Sequence, residues 1–161
     1  MGEYFRFSGR LNRQRYWLRT LALFGIMFAA IFLLGLLGGG LDSLTTGATG
    51  GTGVTIAIVV GLLIYAAVFV VSLAIQVRRL HDRDKSGWWL LFFLVVPGVI
   101  SGAAGATGNE TIALIGTLIG LAISIWYFVE LGFLRGTDGP NRFGPDPLNP
   151  HAGEAAAHAF D

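Results

Sequence analysis

Residues 54–77 read VTIAIVVGLLIYAAVFVVSLAIQV, a run of 24 residues without one charged side chain. Arg78 and Arg79 follow this run directly. An α-helix needs roughly 20 apolar residues to cross the ~30 Å hydrocarbon core of a bilayer. A run of this length that ends at a pair of arginines therefore predicts a membrane-spanning helix whose end lies at the lipid headgroups.

Three other runs repeat the pattern, namely residues 21–41, 88–106 and 112–134. The chain is 53% hydrophobic and only 13% charged, which does not suit a protein wetted on all sides. The runs lack the alternating polarity of membrane strands, and a helix satisfies its own backbone N–H and C=O groups in hydrocarbon. The predicted fold is all-α: a polytopic membrane protein built as a four-transmembrane-helix bundle.

The segments outside the spans also carry predictions. Ser8 is placed to N-cap a short interfacial N-terminal helix ahead of the first span. Three prolines and three glycines within residues 135–147 predict an irregular C-terminal segment made of successive turns. We expect one membrane domain over residues 1–147 and a flexible tail over residues 148–161.

Two features concern the shape and packing of the helices. Pro97 lies near the middle of the third span, where it predicts a kinked helix, with a re-entrant pair of half-helices as the alternative. Pairs of glycines four residues apart allow helices to approach closely, within the bundle or between protomers. These pairs are Gly35 and Gly39, Gly98 and Gly102, and Gly116 and Gly120.

The distribution of basic residues predicts the orientation. All 11 Lys and Arg side chains lie within residues 6–19, 78–85 and 135–142. The two remaining connections, residues 42–53 and 107–111, contain none. Cytoplasmic loops of membrane proteins carry the excess of Lys and Arg, so both termini and the central loop are predicted to face the cytoplasm.

The densest cluster of candidate site residues is residues 78–89, RRLHDRDKSGWW. Its arginines can present a planar fork to phosphate, and its tryptophans suit headgroup depth, so anionic lipid is the simplest ligand. Membrane topology alone also explains cations and aromatic residues here. A metal site at His81, Asp82 and Asp84 is disfavoured by the neighbouring cations, and a catalytic pair of His81 and Asp82 lacks a nucleophile.

Glu130 is the one acidic residue within a predicted span. Intramembrane carboxylates often serve ion or proton pathways, which makes Glu130 a candidate intramembrane ionisable site. It lies close to the end of its span, however, about 6 Å along the helix axis. An ion pair with Arg78, Arg79 or Arg135 is therefore the favoured interpretation.

Three sequence motifs flank the spans. They are F-x-G-R-x-x-R-x-x-Y-W over residues 7–17, R-R-L-H-D followed by S-G-W-W over residues 78–89, and G-T-x-G-x-N-x-F-G-P-D-P over residues 136–147. Together they resemble the signature stretches of a small bacterial inner-membrane family of unknown function, the YhaH-like proteins. The resemblance implies a four-span protein of the bacterial inner membrane with all three motifs on one side and no established activity.

Because all three motifs fall on the cytoplasmic side of the predicted topology, we expect them to meet in one cationic polar cap. Charge pairs between Arg10 or Arg13 and Asp82 or Asp146 would hold this cap together. The cap either binds a partner protein or anionic lipid, or only closes the bundle. The candidate binding residues are Arg10, Arg13, Arg78, Arg79, His81, Asp82, Arg83, Trp88, Asn141 and Asp146.

The predicted function is that of a non-enzymatic integral inner-membrane protein whose cap binds a partner protein or anionic lipid. A small transporter or channel subunit is the first alternative, and a membrane enzyme acting on lipid headgroups through His81 and Asp82 is the second. No catalytic residue, metal or cofactor is predicted. The expected partners are anionic membrane lipids, with a protein partner or a homo-oligomer as further options and no nucleic acid.

Overall fold

The computed structural model describes residues 7–36 and 52–150 of the chain. These residues form four long helices and no named strand, with one isolated antiparallel bridge between Asn141 and Gly144. All four helices are long and apolar enough to cross a membrane, which confirms the predicted all-α membrane fold. The helices are α1 (Arg13–Gly35), α2 (Thr52–Asp82), α3 (Trp88–Ala106) and α4 (Glu110–Gly132).

The helix bounds agree with the predicted spans within about two residues in α3 and α4 and differ in α1 and α2. Helix α1 begins at Arg13, whereas its span was predicted from residue 21. Helix α3 runs through Pro97 without a break, so the re-entrant alternative is wrong. Helix α2 contains 31 residues and continues past the predicted end of its span to Asp82. At 1.5 Å per residue it is about 46 Å long, more than a hydrocarbon core requires. Its last turns therefore carry the first part of the second sequence motif, residues 78–82, beyond the apolar run.

The start of α1 corrects one prediction. Asn12 is the N-cap, because its Oδ1 accepts a hydrogen bond from the Arg15 N–H at 2.9 Å. Ser8 cannot begin the helix, since Gly9 follows it with φ +89° and residues 7–12 are not helical. The expected interfacial helix is thus the first part of α1 and not a separate element. Most of the connection at residues 42–53 and most of the C-terminal tail lie outside the described residues.

The helices pack as two pairs, α1 with α2 and α3 with α4. Gly116 and Gly120 of α4 are buried, and a Cβ on Gly116 would overlap the side chain of Ala104 on α3. This spaced pair of glycines permits the close α3–α4 contact, so it serves packing within the bundle, one of the two uses that the sequence left open. Gly98 and Gly102 have no neighbouring atom within 4 Å of a built Cβ, so they do not contribute to packing within the described chain.

The two helix pairs meet near the end of the bundle where α2 and α4 finish. Leu80, Phe93 and Leu131 form a buried cluster there that joins α2, α3 and α4. Trp17 of α1 makes an edge contact with a ring on α4, Phe128, at 5.9 Å between centroids. Elsewhere the helices expose large apolar side chains, such as Phe28 at 74%. Apolar exposure on this scale suits lipid and not water.

Candidate functional site: a polar cap at one end of the bundle

Three segments that are far apart in sequence meet at the end of the bundle where the two helix pairs join. They are residues 7–15, residues 78–88 and residues 130–150, and together we call them the polar cap. The three sequence motifs were predicted to meet in one cap, and hydrogen bonds between these segments show that they do.

The carboxylate of Asp82 is the centre of the polar cap. Its Oδ1 accepts a hydrogen bond from Arg10 Nε at 3.1 Å, and its Oδ2 accepts one from Arg79 Nη1 at 2.6 Å. Asp82 is only 2% exposed, and Arg79 is fully buried. The predicted charge pair between Arg10 and Asp82 is therefore present, with Arg79 as a second partner. A protein tolerates buried charges of this kind only when each charge is both paired and hydrogen-bonded.

Arg10 also binds the segment that follows α4. Its Nη1 donates to the carbonyl of Gly139 and its Nη2 to the carbonyl of Thr137, both at 2.5 Å. The Thr137 N–H in turn donates to the carbonyl of Asp82 at 2.8 Å. One planar guanidinium thus joins the N-terminal segment, the end of α2 and the C-terminal turns, which a point charge such as lysine cannot do.

Arg79 binds the end of α4 in a similar way. Its Nε donates to the carbonyl of Leu131 at 2.7 Å, and its Nη2 donates to the carbonyl of Leu134. The last carbonyls of a helix lack partners within the helix and favour a nearby cation. Arg79 therefore stabilises the C-terminus of α4 while it neutralises Asp82.

The turns after α4 fit closely around these charges. A Cβ on Gly136 would overlap the carboxylate of Asp82, so only glycine allows the chain to pass there. Asn141 donates from Nδ2 to the carbonyl of His81 and to Thr137 Oγ1, both at 2.9 Å. Its Oδ1 accepts from the Phe143 N–H at 2.9 Å, which closes the turn.

Asp146 bonds to backbone groups and forms no ion pair with a described residue. Its Oδ2 accepts from the Gly139 N–H at 3.1 Å and its Oδ1 from the Leu148 N–H at 2.9 Å. The Leu148 N–H, then the Gly139 N–H and the charge of Arg10, lower the pKa of the Asp146 carboxyl. The predicted salt bridge from Arg10 or Arg13 to Asp146 is thus replaced by a turn that the carboxylate holds closed.

His81 is fixed by a ring stack and a backbone contact. Its ring lies parallel to that of Phe143 with 3.9 Å between centroids, and its Nδ1 is 3.3 Å from the carbonyl of Gly9. A carbonyl can only accept, so the Nδ1 carries the proton in this contact. The carboxylate of Asp82 faces Arg10 and Arg79, so it does not orient the His81 ring as an acid–base pair requires.

Glu130 forms ion pairs, although not with the residues that the sequence suggested. Its Oε1 lies 3.0 Å from Arg83 Nε and 2.9 Å from Lys85 Nζ, instead of pairing with Arg78, Arg79 or Arg135. The loop after α2 turns back and brings both cations to the carboxylate. Lys85 also lies over the rings of Trp89 and Trp126, at 4.9 and 5.7 Å from their centroids.

The remaining predicted site residues take less central positions. Arg13 Nη1 donates to the carbonyl of Phe133 at 3.0 Å. Arg78 is buried, and its own carbonyl accepts from the Leu11 N–H at 3.1 Å. Trp88 is 76% exposed at the start of α3 and lies outside the hydrogen-bond network.

The candidate binding residues did not include Trp17, Gly132, Gly136 and Thr137, of which all but Gly132 lie in the motifs that were predicted to form the cap. Trp17 Nε1 donates to the carbonyl of Gly132 at 2.9 Å, and a Cβ on Gly132 would lie 2.8 Å from the Trp17 ring. The only available signal was their presence at or beside the motifs, since a glycine does not reveal which side chain it admits. Within residues 7–36 and 52–150, no three His, Asp or Glu side chains are grouped to hold a metal ion.

Comparison with known proteins agrees with this architecture. The model of the family described as a protein of unknown function, DUF805, matches residues 4–145. The chain belongs to the DUF805 family. The match spans all four helices, the first two motifs and the third motif up to Pro145, so the bundle and most of the cap lie within the shared region.

Two inner-membrane proteins of Escherichia coli K12 are similar to this DUF805 chain. Inner membrane protein YhaH is 36% identical over 145 residues, which cover 90% of this chain and 89% of YhaH. Inner membrane protein YhaI is 33% identical over 147 residues, covering 90% and 88%. YiiR of the same organism is 29% identical over 143 residues. No solved structure gives a significant match. The chain is thus an integral inner-membrane protein.

Proposed function

We propose that this protein acts by binding and not by catalysis, with the polar cap in the cytoplasm and anionic lipid headgroups as its ligand. The observation that carries the proposal is the set of cations left over once the cap is assembled. Arg13, Arg15 and Arg135 are exposed and form no ion pair with a described residue. Arginine presents a planar pair of donors that matches phosphate.

Charge at the two ends of the bundle supports the cytoplasmic placement. The cap end of the bundle carries ten basic and five acidic side chains among the described residues. This count covers residues 7–20 and 78–150, without α3 and without the outer part of α4. The connection between α3 and α4 carries no basic side chain. Cytoplasmic segments next to spans are enriched in Lys and Arg, and the cytoplasmic leaflet carries anionic lipid.

The orientation is tested by labelling single cysteines, because the chain has none of its own. A Glu110→Cys variant should react with an impermeant maleimide in intact cells, and an Asp138→Cys variant should react only after the cells are opened. Labelling of the Asp138→Cys variant in sealed cells would place the cap outside.

Lipid binding is tested by native mass spectrometry of the full chain in detergent with added phosphatidylglycerol or phosphatidylcholine. Each Arg near a headgroup contributes about 1 kcal/mol, so replacing Arg13, Arg15 and Arg135 together by Gln should weaken phosphatidylglycerol binding at least roughly tenfold. The matched control replaces the same three residues by Lys and keeps the charge. It should bind more weakly than the wild type, because it lacks the planar pair of donors, but more tightly than the Gln variant, and the binding should weaken with salt.

Two results would count against the proposal. Equal retention of phosphatidylglycerol and phosphatidylcholine by the wild-type protein would show that the arginines do not select an anion. Unchanged retention in the Gln variant would favour a partner protein on the same surface, since a protein ligand does not require lipid affinity.

A further inference from the structure

A groove between α1 and α2 lies apart from the polar cap and has a lining of mixed chemistry. Its volume is about 310 Å³, which is within the range of small-molecule sites. Its walls come from α1 between residues 16 and 27 and from α2 between residues 65 and 76. None of the three arginines of the proposed lipid site takes part in it, so the two sites can be tested separately.

Polar groups line part of this groove although it lies along two apolar helices. They belong to Tyr16, Thr20, Tyr65, Ser72 and Gln76. Ser72 Oγ already donates to the carbonyl of Phe69 at 2.7 Å, and Tyr16 is hydrogen-bonded to Thr20, so these groups have partners within the protein. A polar group in a span that lacks a partner costs free energy, so a donor left over in the lining indicates a ligand. The groove therefore differs from an ordinary gap between apolar side chains.

Gln76 supplies the clearest unsatisfied donor. Its Oε1 accepts a hydrogen bond from the Tyr127 hydroxyl on α4, which fixes the orientation of the amide. Its Nε2 makes no hydrogen bond to a described residue, although it carries two N–H donors. A ligand that satisfies Gln76 must therefore present an acceptor, such as a carbonyl oxygen.

The rest of the lining defines the other properties of the ligand. No Lys, Arg, His, Asp or Glu lines the groove, so a charged headgroup would have no counter-charge there. Tyr65 and Phe69 stack at 6.1 Å between centroids with 17° between ring planes, and both line the groove, which gives it a flat aromatic wall. Phe24, Met27 and Val68 supply an apolar lining suited to a hydrocarbon tail.

We infer that this groove binds a membrane quinone, an amphiphile whose flat and uncharged ring bears carbonyl oxygens and continues into an apolar tail. A carbonyl accepts from the Gln76 amide, the ring lies against the Tyr65 and Phe69 wall, and the tail follows the apolar lining toward Met27. An acyl chain alone would leave the Gln76 donors unsatisfied, and a phospholipid headgroup would bring a charge with no partner.

The test uses decylubiquinone, a quinone ring with a ten-carbon tail, titrated into the full chain in detergent micelles by isothermal titration calorimetry. Empty micelles serve as the blank, and methyl decanoate serves as the ligand with an ester head and no ring. We expect saturable binding of decylubiquinone at one site and at least tenfold weaker binding of methyl decanoate. Equal affinity for the two ligands, or no saturable binding of decylubiquinone, would overturn the inference.

Variants then locate the site. Gln76→Leu should weaken decylubiquinone binding at least tenfold. Gln14→Leu is the matched control, because it makes the same change at an exposed residue of α1 that does not line the groove, and its affinity should stay within about twofold of the wild type. Val68→Trp should block binding by filling the groove, and it provides a separate test if Gln76→Leu does not fold. Equal affinities for Gln76→Leu and Gln14→Leu, or full binding by a folded Val68→Trp variant, would place the quinone elsewhere.

Discussion

Replacing Arg79 by Lys should destabilise the folded protein strongly although the charge is kept. The guanidinium of Arg79 donates to the Asp82 carboxylate and to the carbonyls of Leu131 and Leu134. From the same position, a lysine ammonium can donate with good geometry to only one of these three acceptors. It should donate to the carboxylate, because the carboxylate is charged. The two carbonyls at the end of α4 would then lose their donors.

The magnitude follows from how far each carbonyl is buried. Leu131 is 1% exposed, and an acceptor left without a donor at such a site costs about 1–3 kcal/mol. Leu134 is 36% exposed, so solvent can replace part of its bond, and the loss there is about 0.5–1.5 kcal/mol. We therefore expect Arg79→Lys to lower the free energy of unfolding by about 2–4 kcal/mol.

The assay is reversible unfolding by SDS in mixed micelles, followed by the fluorescence of the four tryptophans. Arg15→Lys is the matched control, because Arg15 is exposed and its side chain forms no ion pair with a described residue, and its effect should stay within about 0.5 kcal/mol. Equal effects for Arg79→Lys and Arg15→Lys would refute the claim that the guanidinium geometry holds the end of α4.

Two further predictions use the same unfolding assay. Gly136→Ala should lower the free energy of unfolding by about 3 kcal/mol or more, because the added Cβ displaces the buried Asp82 carboxylate from its partners. Its control, Gly102→Ala in α3, places a Cβ in open space and should be neutral or stabilising by up to about 1 kcal/mol. The Leu148 N–H, with other backbone donors, holds the pKa of Asp146 below its ordinary 3.8. Asp146 therefore stabilises the folded protein above pH 3.8, and this stability is lost as the pH falls through the pKa of Asp146 in the folded state. Asp146→Asn should therefore reduce the loss of melting temperature between about pH 5 and about pH 3, and an unchanged slope would contradict this.

The membrane architecture could be read from the sequence because it depends on long apolar runs and on the position of cations. A run of roughly 20 apolar residues has few other stable environments, so the bounds of α3 and α4 followed closely. The start of α1 could not be predicted in this way, because it depends on a local backbone feature. Gly9 takes a positive φ that moves the helix start past Ser8 to Asn12, and the residue types alone do not reveal this angle.

The cap was predictable as a meeting of motifs and not as a set of contacts. Opposite charges at Arg10 and Asp82 made their pairing a sound expectation, and it is confirmed. The partners of Glu130 could not be found in the same way, because Arg78, Arg79, Arg83 and Lys85 follow one another closely and the path of the loop after α2 decides which of them reach it. The carbonyl partners of Arg79 depend on the path of the backbone, which no side-chain pattern encodes.

The bonds from Arg10 to the carbonyls of Thr137 and Gly139 join residues that are separated by 127 and 129 positions. A ribosome adds roughly 5–20 residues per second, so these carbonyls emerge about 6–25 s after the arginine that binds them. Arg10 and Asp82 must remain hydrated at the membrane surface during that interval, after α2 has been made. Insertion of α1 and α2 is thus separated in time from closure of the cap, and a nascent chain that stops before Gly136 can enter the membrane but cannot complete the hydrogen bonds of Arg10.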